Sequence, residues 1–428
     1  MSAGPQDERF MAEAIRLGLL HLGQTSTNPS VGCVIVRDGE IVGRAVTALG
    51  GRPHAEPQAL AEAGDLARGA TAYVTLEPCS HHGKTPPCAE ALIASGVARV
   101  VISVTDPDAR VSGRGIAMLR DAGIEVDTGV LEEEGARSLA GYLTRQAKNR
   151  PYVTVKLAVS ADGMIGRKGE GQIAITGPLA RAQVQALRAK TDAILIGIGT
   201  AIADDPELTV RTPGLQSLSP VRVVLDPWLD LPLTSKLVRS ARDVPVIVVA
   251  SEAPPSVLPD ISPTRGEIGE QHDPNSRKSD GDSSASVTEN EGQAAHARPI
   301  SPLMGEMPGG AEGVKPLAET FEIETRRSAL ESAGVEILYC NPYHPEVLLP
   351  ALASRGISSL LIEGGATTAR LFLDVGLVDR IQLYQGQVII GEGGIESPLT
   401  KTDMPSGFVH KGTFMFGDDR LDEYERES

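Results

Sequence analysis

Short apolar runs rich in β-branched residues alternate with segments of helical period twice along this chain. That alternation narrows the fold more than any other feature. VGCVIV (Val31–Val36), AYVTL (Ala72–Leu76) and ARVVISV (Ala98–Val104) are short and branched, and read as buried strands. Helical segments lie around them: 6–23, with Asp7 as its cap and Phe10, Ala14, Leu17 and Leu20 at helical spacing, then Ala55–Ala63, Cys88–Ala94 and Gly115–Asp121. IEVDTG follows, and 131–149 predicts one helix leading into a linker. Such alternation predicts a layered α/β domain over 1–149.

A second series begins after Arg150. Tyr152–Val159, Ala193–Gly199, Val221–Asp226 and Val244–Ala250 read as strands, as do VEILY, SSLLIEGG and RIQLYQ after residue 330, and Pro178–Lys190 as a helix. A second α/β domain is therefore expected over 150–428. Residues 251–320 interrupt it. They hold no Phe, Tyr or Trp and carry 12 acidic against 5 basic residues. Such a stretch cannot bury enough apolar area to offset its ordering entropy, so a disordered insertion at a surface turn is predicted. Two imperfect copies, ISPTRGEI and ISPLMGEM, occur within it. The acidic end, GDDRLDEYERES, reads as a solvated tail.

The formal net charge of the 428 residues is −16, and aromatics make up 3%. A polyanion is repelled by such a chain and finds few rings to stack on, which argues against nucleic acid and anionic membrane as partners. No apolar run approaches the roughly 18 residues of a membrane span, and the start shows no secretory pattern. Four cysteines are too few for a disulfide framework in a chain this long. The expectation is a cytoplasmic protein with reduced thiols.

The sharpest chemical signal is His54-Ala55-Glu56 followed by Pro78-Cys79 and Cys88. One imidazole and two thiolates suit a single zinc ion and leave a fourth position for water. Zinc lowers the pKa of that water towards neutrality. Glu56 is not needed as a ligand and is free to move protons. This order is that of zinc-dependent nucleobase deaminases. A structural zinc would need a fourth ligand, for which only His81 and His82 stand near, and would leave Glu56 unexplained. Cys33, inside a strand, reads as core.

The cysteine spacing of this chain departs from the general deaminase pattern. PCSHHGKTPPC, with HAE upstream and NPSVGCVIV before it, resembles the bacterial bifunctional riboflavin-biosynthesis deaminase/reductase family. The resemblance covers the chain outside 251–320. It implies a cytidine-deaminase-like three-layer α/β/α domain followed by a dihydrofolate-reductase-like α/β domain. The first would remove an amine from a diaminopyrimidinone carrying ribose 5-phosphate. The second would reduce the ribosyl side chain to ribityl with NADPH. It also implies substrate contacts at Asn28 and Lys84. The family's histidine seven residues before the zinc histidine is Thr47 here.

In the second domain, Ala203-Asp204-Asp205-Pro206 and KLAVSADG (Lys156–Gly163) carry the resemblance. It implies NADPH contacts at Ala158, Ile173, Thr200, Asp204, Asp226 and Glu363, and along Gly364, Gly365, Ala366, Thr367, Thr368 and Ala369. Substrate contacts fall at Gly171, Arg188, Leu208, Arg211 and Glu363. Glycines before a helix N-terminus let a diphosphate approach unpaired N–H groups. Arg188 and Arg211 suit a phosphate, because a guanidinium grips two oxygens, and this is the favoured reading over a solvated face or a salt bridge. Lys156 and Asp204 are the polar candidates beside the hydride. Where the family has Glu-Ser-Gln-Trp-Ile-Thr, this chain has Glu170-Gly171-Gln172-Ile173-Ala174-Ile175-Thr176. The resemblance further implies self-association through the reductase half. A deaminase acting on another nucleobase or on tRNA, with a degenerate second domain, is the competing reading.

Overall fold

The computed structural model of the chain describes residues 4–83, 85–108, 111–251 and 317–427. Lys84 and nearly all of the expected insertion lie outside them. In the first half the order is α1 (Pro5–Gly18), β1 (Gly32–Arg37), β2 (Glu40–Val46), α2 (Ala55–Ala63), β3 (Thr71–Leu76), α3 (Cys88–Ser95), β4 (Arg99–Val104), α4 (Arg114–Asp121), β5 (Glu125–Thr128), α5 (Glu132–Ser138) and α6 (Ala140–Lys148). The strands form one five-stranded sheet, ordered β2-β1-β3-β4-β5. Strand β1 runs antiparallel to β2 and β3, and β3, β4 and β5 are parallel. Phe10, Met11 and Ala14 of α1 cover one face with Val34 and Tyr73, while Ala55, Ala59, Ala89 and Leu92 of α2 and α3 cover the other with Ile35, Val74 and Ile102. The result is three layers, α/β/α.

The second half continues with β6 (Tyr152–Val159), β7 (Met164–Arg167), α7 (Pro178–Arg188), β8 (Ala193–Gly197), α8 (Ile198–Asp204), β9 (Val221–Leu225), α9 (Lys236–Arg239) and β10 (Val246–Ala250). After residue 316 come α10 (Leu317–Ser332), β11 (Val335–Tyr339), α11 (Pro345–Ser354), β12 (Ser359–Ile362), α12 (Ala366–Asp374), β13 (Arg380–Gln385), β14 (Gly394–Glu396), β15 (Phe408–Phe416) and β16 (Asp419–Arg426). Nine of these strands form one sheet, ordered β11-β10-β9-β8-β12-β6-β13-β16-β15, and β7 pairs with β14. From β11 to β13 the neighbours are parallel, and β16 and β15 close the sheet antiparallel. Parallel strands covered on both faces read as continuous apolar runs, which is why AILIG and VIVVA were legible.

The two halves meet at the amino edge of those parallel strands. Arg145 of α6 donates from Nη2 to Thr27 O at 2.5 Å and from Nη1 to Gly356 O at 3.2 Å. Arg137 reaches Glu425 at 3.5 Å. No helix among the described residues is long and apolar enough to cross a membrane.

Three expectations need correction. The helix expected over 131–149 is two helices, broken at Leu139, whose φ of −105° and ψ of 8° interrupt the ladder. The break lets α5 pack on β4 and α6 on β6, and Leu139 itself is buried at the bend. The acidic terminus is not a solvated tail. Asp419–Arg426 is strand β16, with Leu421 and Tyr424 in the core. Its charges are matched across the sheet, Arg380 to Glu425 at 2.6 Å and Gln382 to Glu423 at 2.6 Å. Finally, helix α10 opens at Leu317, inside the range expected to be an insertion.

Candidate metal centre and a candidate cofactor cradle

His54 is the N-cap residue of α2, and Glu56 lies in that helix's first turn. Cys88 opens α3, and Cys79 lies in the segment between β3 and α3. Two helix starts and one loop thus converge. His54 Nδ1 lies 3.7 Å from Cys79 Sγ and 3.4 Å from Cys88 Sγ. The three ligand atoms all fall within 4.8 Å of one another. Tetrahedral zinc, with bonds of about 2.3 Å to sulfur and 2.0 Å to nitrogen, holds its ligand atoms roughly 3.5 Å apart, so the donor set fits.

Cys88 N donates to Cys79 Sγ at 3.3 Å. Hydrogen bonds from Cys88 and His54 hold the Cys79 thiol down at about 4, which favours the thiolate a metal needs. Glu56 is 4% exposed, and burial pushes its carboxyl up. A raised carboxyl beside a metal cradle is the profile of a proton carrier. His82 is turned to Glu90 at 3.5 Å and does not join the metal group. Thr47 is buried, and its Oγ1 accepts from Val31 N at 3.0 Å.

Asn28 sits before β1 against Gly51, where an added Cβ would stand 2.5 Å from Asn28 Nδ2. It lines a cavity of about 470 Å³ along the junction of the two halves. Arg52 is a polar neighbour that the sequence reading missed. Its Nη1 donates to Thr85 Oγ1 at 2.7 Å, within the same loop as Lys84. A lone arginine before a Pro-His pair offers no local signal.

The second group of candidates gathers at the carboxyl edge of the nine-stranded sheet. Arg188, from the end of α7, grips Glu363 from Nε at 2.8 Å and Nη2 at 2.9 Å, and its Nη1 reaches Thr209 O at 3.2 Å. The two side chains are 11% and 10% exposed. The salt bridge that the sequence offered as an alternative for Arg188 is present. Arg211 is exposed, and its charge helps to lower the Glu363 pKa. Lys156 Nζ lies 4.0 Å from Glu363 and 5.7 Å from the centre of the Tyr384 ring. Burial lowers the Lys156 pKa; in Glu363 the opposing burial effect is outweighed by Arg188 and Lys156, and its pKa is lowered. Tyr384 is the other residue the sequence reading missed.

Gly364 and Gly365 precede α12, whose N-cap makes no side-chain hydrogen bond. A Cβ at Gly364 would come within 2.7 Å of Thr368 Cβ, and one at Gly197 within 2.7 Å of Thr368 Oγ1. Only bare backbone fits there, and the first turn of a helix leaves backbone N–H groups without partners within the helix. Thr200 Oγ1 accepts from Gly365 N at 3.3 Å, which ties α8 to this cradle. Ala369 is fully buried beneath it. Asp204 ends α8, and burial raises its carboxyl. Leu208 takes a left-handed φ of 56° with its side chain in the core, so only its backbone can meet a ligand. Gly171, at φ 64°, and Ile173 lie in the loop after β7. Ala158 packs under Tyr384. Asp226 is fully buried, and its carboxylate accepts from Asp230 N and Leu231 N, both at 2.8 Å.

Two family models match separate stretches of the chain. Residues 5–104 match the cytidine and deoxycytidylate deaminase zinc-binding region, and residues 151–271 and 317–415 match the RibD C-terminal domain. The riboflavin biosynthesis protein RibD of Aquifex aeolicus is 34% identical over 387 residues, covering 90% of this chain and 88% of that one. The Escherichia coli RibD is 49% identical over 233 residues, covering 52% of this chain and 63% of that one. A crystal structure of a diaminohydroxyphosphoribosylaminopyrimidine deaminase/5-amino-6-(5-phosphoribosylamino)uracil reductase from Thermotoga maritima superposes with a TM-score of 0.73 at 30% identity, covering 99% of both chains. The chain belongs to the RibD family of riboflavin biosynthesis proteins.

Proposed function

We propose that this chain carries out two consecutive reactions of riboflavin biosynthesis. The first is hydrolytic deamination of 2,5-diamino-6-(5-phosphoribosylamino)pyrimidin-4(3H)-one. The second is NADPH-dependent reduction of the product's ribosyl group to ribityl. The observation that carries this reading is the presence, in one chain, of a His54–Cys79–Cys88 cradle with Glu56 beside it and of a Lys156–Glu363–Arg188 group beside a bare-backbone cradle. The division at residues 149 and 150, with the second domain interrupted between β10 and α10, belongs to the same proposal.

Bound zinc makes water a nucleophile at neutral pH, and bound NADPH supplies the hydride. In the first reaction water adds to the amine-bearing carbon, the C–N bond breaks and ammonia leaves. Glu56 moves the proton from the attacking water to the departing nitrogen, a task its buried, raised carboxyl suits. Asn28 and Lys84 orient the substrate. In the second, the ribose ring opens and its oxygen takes up a proton. Lys156, whose ammonium burial makes more acidic, is the donor, fixed in place by Glu363. Arg211 holds the phosphate. Gly364, Gly365 and the first turn of α12 hold the NADPH diphosphate, with Thr200 and Asp204 alongside.

The reading includes a cytoplasmic location, supported by four free cysteines, two of which must stay reduced to bind metal. It also includes self-association through the reductase half, supported by the exposed edge strand β15 with Phe414 47% and Met415 60% exposed. The test is a coupled assay on the zinc-loaded chain. Ammonia release from the phosphorylated pyrimidine, followed by NADPH oxidation that depends on the deaminated product, is expected. Deamination of tRNA but not of the pyrimidine would overturn the reading.

A further inference from the structure

The Lys156 side chain is only 15% exposed, and its ammonium makes no hydrogen bond among the described residues. Its one ion-pair partner there, Glu363, lies 4.0 Å away, beyond hydrogen-bond reach. Gln382 stands opposite Lys156 on β13, but its Nε2 donates to Glu423 at 2.6 Å and its Oε1 has no partner. Burial lowers the Lys156 pKa, Glu363 opposes that effect, and Arg188 of α7 adds to it with a second positive charge. A cation so placed depends on an attraction that uses no hydrogen bond. The Tyr384 ring offers one. Lys156 Nζ lies over it, 5.7 Å from its centre. The negative face of an aromatic ring attracts a cation within about 6 Å, most of all where water is excluded.

Packing keeps that ring in place. Tyr384 follows Gln382 by two residues on β13, so it shares the sheet face of Lys156. Ala180 and Val184 of α7 and Leu421 of β16 pack around it, and the Phe416 ring centre stands 6.4 Å from its own. The residue is 1% exposed. Its hydroxyl is buried without a partner, which costs stability, so the ring is the part of the side chain that the site uses. Burial, with the charges of Glu423 and Glu363, pushes the phenol up, and the ring stays neutral. Glu363 stays anionic because Arg188 and Lys156 outweigh its burial. Glu363 and Arg188 are thus the charges that act on Lys156, and Tyr384 is the neutral group that faces it.

We propose that the face of the Tyr384 ring holds the Lys156 ammonium where it gives up its proton, which makes Tyr384 a positioning residue of the reduction. The proposal rests on the reading of Lys156 as proton donor and adds to it the group that keeps the donor charged and in place.

The experiment follows NADPH oxidation on pre-deaminated substrate, as a function of pH, with the zinc-loaded full chain. The variants are Tyr384→Leu, Tyr384→Phe, Tyr384→trifluorophenylalanine and Lys156→Gln, each first checked by circular dichroism. Fluorination keeps the outline of the ring and drains the negative charge from its face. Tyr384→Leu should lower kcat about tenfold and move the basic limb of the profile about one pH unit downward, because a less stabilised ammonium loses its proton sooner. Tyr384→Phe should recover most of the rate and the wild-type limb. The trifluorinated ring should behave as Tyr384→Leu does, despite its size, and it decides the matter alone if Tyr384→Leu fails to fold. A trifluorinated variant with the rate and profile of Tyr384→Phe overturns the proposal and leaves the donor reading intact. So does a Tyr384→Phe that loses as much as Tyr384→Leu, since the hydroxyl would then be the part that matters. Wild-type reduction by Lys156→Gln overturns the donor reading and this proposal together.

Discussion

Arg188 and Glu363 are 175 residues apart in sequence and face each other through two hydrogen bonds, at 2.8 and 2.9 Å, in a nearly closed site. The same carboxylate lies 4.0 Å from the Lys156 ammonium. One anion thus sets the position of two cations. Glu363→Gln should leave Arg188 and Lys156 uncompensated. We expect a loss of about 3–5 kcal/mol in stability, read from denaturant unfolding. Reduction of pre-deaminated substrate should fall at least about a hundredfold through misplacement of Lys156. Ammonia release should persist wherever the variant remains folded. A variant with wild-type reduction would remove Glu363 from the site.

Glu56→Gln keeps the shape of the side chain and loses its ability to move a proton. Zinc content by atomic emission should stay at one per chain, while ammonia release falls by about 10²–10⁴. Turnover close to wild type would exclude Glu56 as the proton carrier.

Cys79→Ser and Cys88→Ser each remove one sulfur from the cradle. Zinc content and ammonia release should both collapse. NADPH oxidation on pre-deaminated substrate should be retained, because its residues belong to a different sheet. If a folded variant lost both activities, the two-site picture would be wrong.

The Asp162 carboxylate offers a pH test. A hydrogen bond from Ser160 Oγ, with others from Gly391 N and Ile390 N, holds its pKa at about 2, below its unfolded value of about 3.9. The stabilisation is therefore complete above about pH 4 and fades as pH falls towards the folded value. The difference in Tm between wild type and Asp162→Ala should be widest above pH 5 and should narrow as pH is lowered towards 3. A difference independent of pH would show that the carboxylate charge plays no part.

What the sequence made visible follows the range of the forces involved. His54-x-Glu56 and the cysteines were legible because metal chemistry fixes residue types at short spacing. Apolar parallel strands such as Val246–Ala250 were legible because burial on both faces leaves one continuous pattern. Strand β2 was overlooked although Asp38 and Gly39, at φ 52° and 83°, spell a two-residue hairpin turn. Strand β16 was misread because its acidic residues look solvated until Arg380 and Gln382 are brought opposite them. Arg188 could not be assigned from its neighbours, since its partner arrives only when β12 takes its place beside β8. Tyr384 and Arg52 likewise meet Lys156 and Thr85, neighbours that local sequence does not name.

The seam through Arg145 and Gly356 lies at the amino edge of the parallel strands, whereas Lys156, Glu363 and the α12 cradle lie towards or beyond their carboxyl edge. A packed core of Val153, Val155, Leu195 and Leu360 fills the space between. Among the described residues that core separates the two groups, so the deaminated molecule of the proposed sequence is expected to pass through bulk water between its two reactions. A scavenger added to the medium should then intercept the traveller.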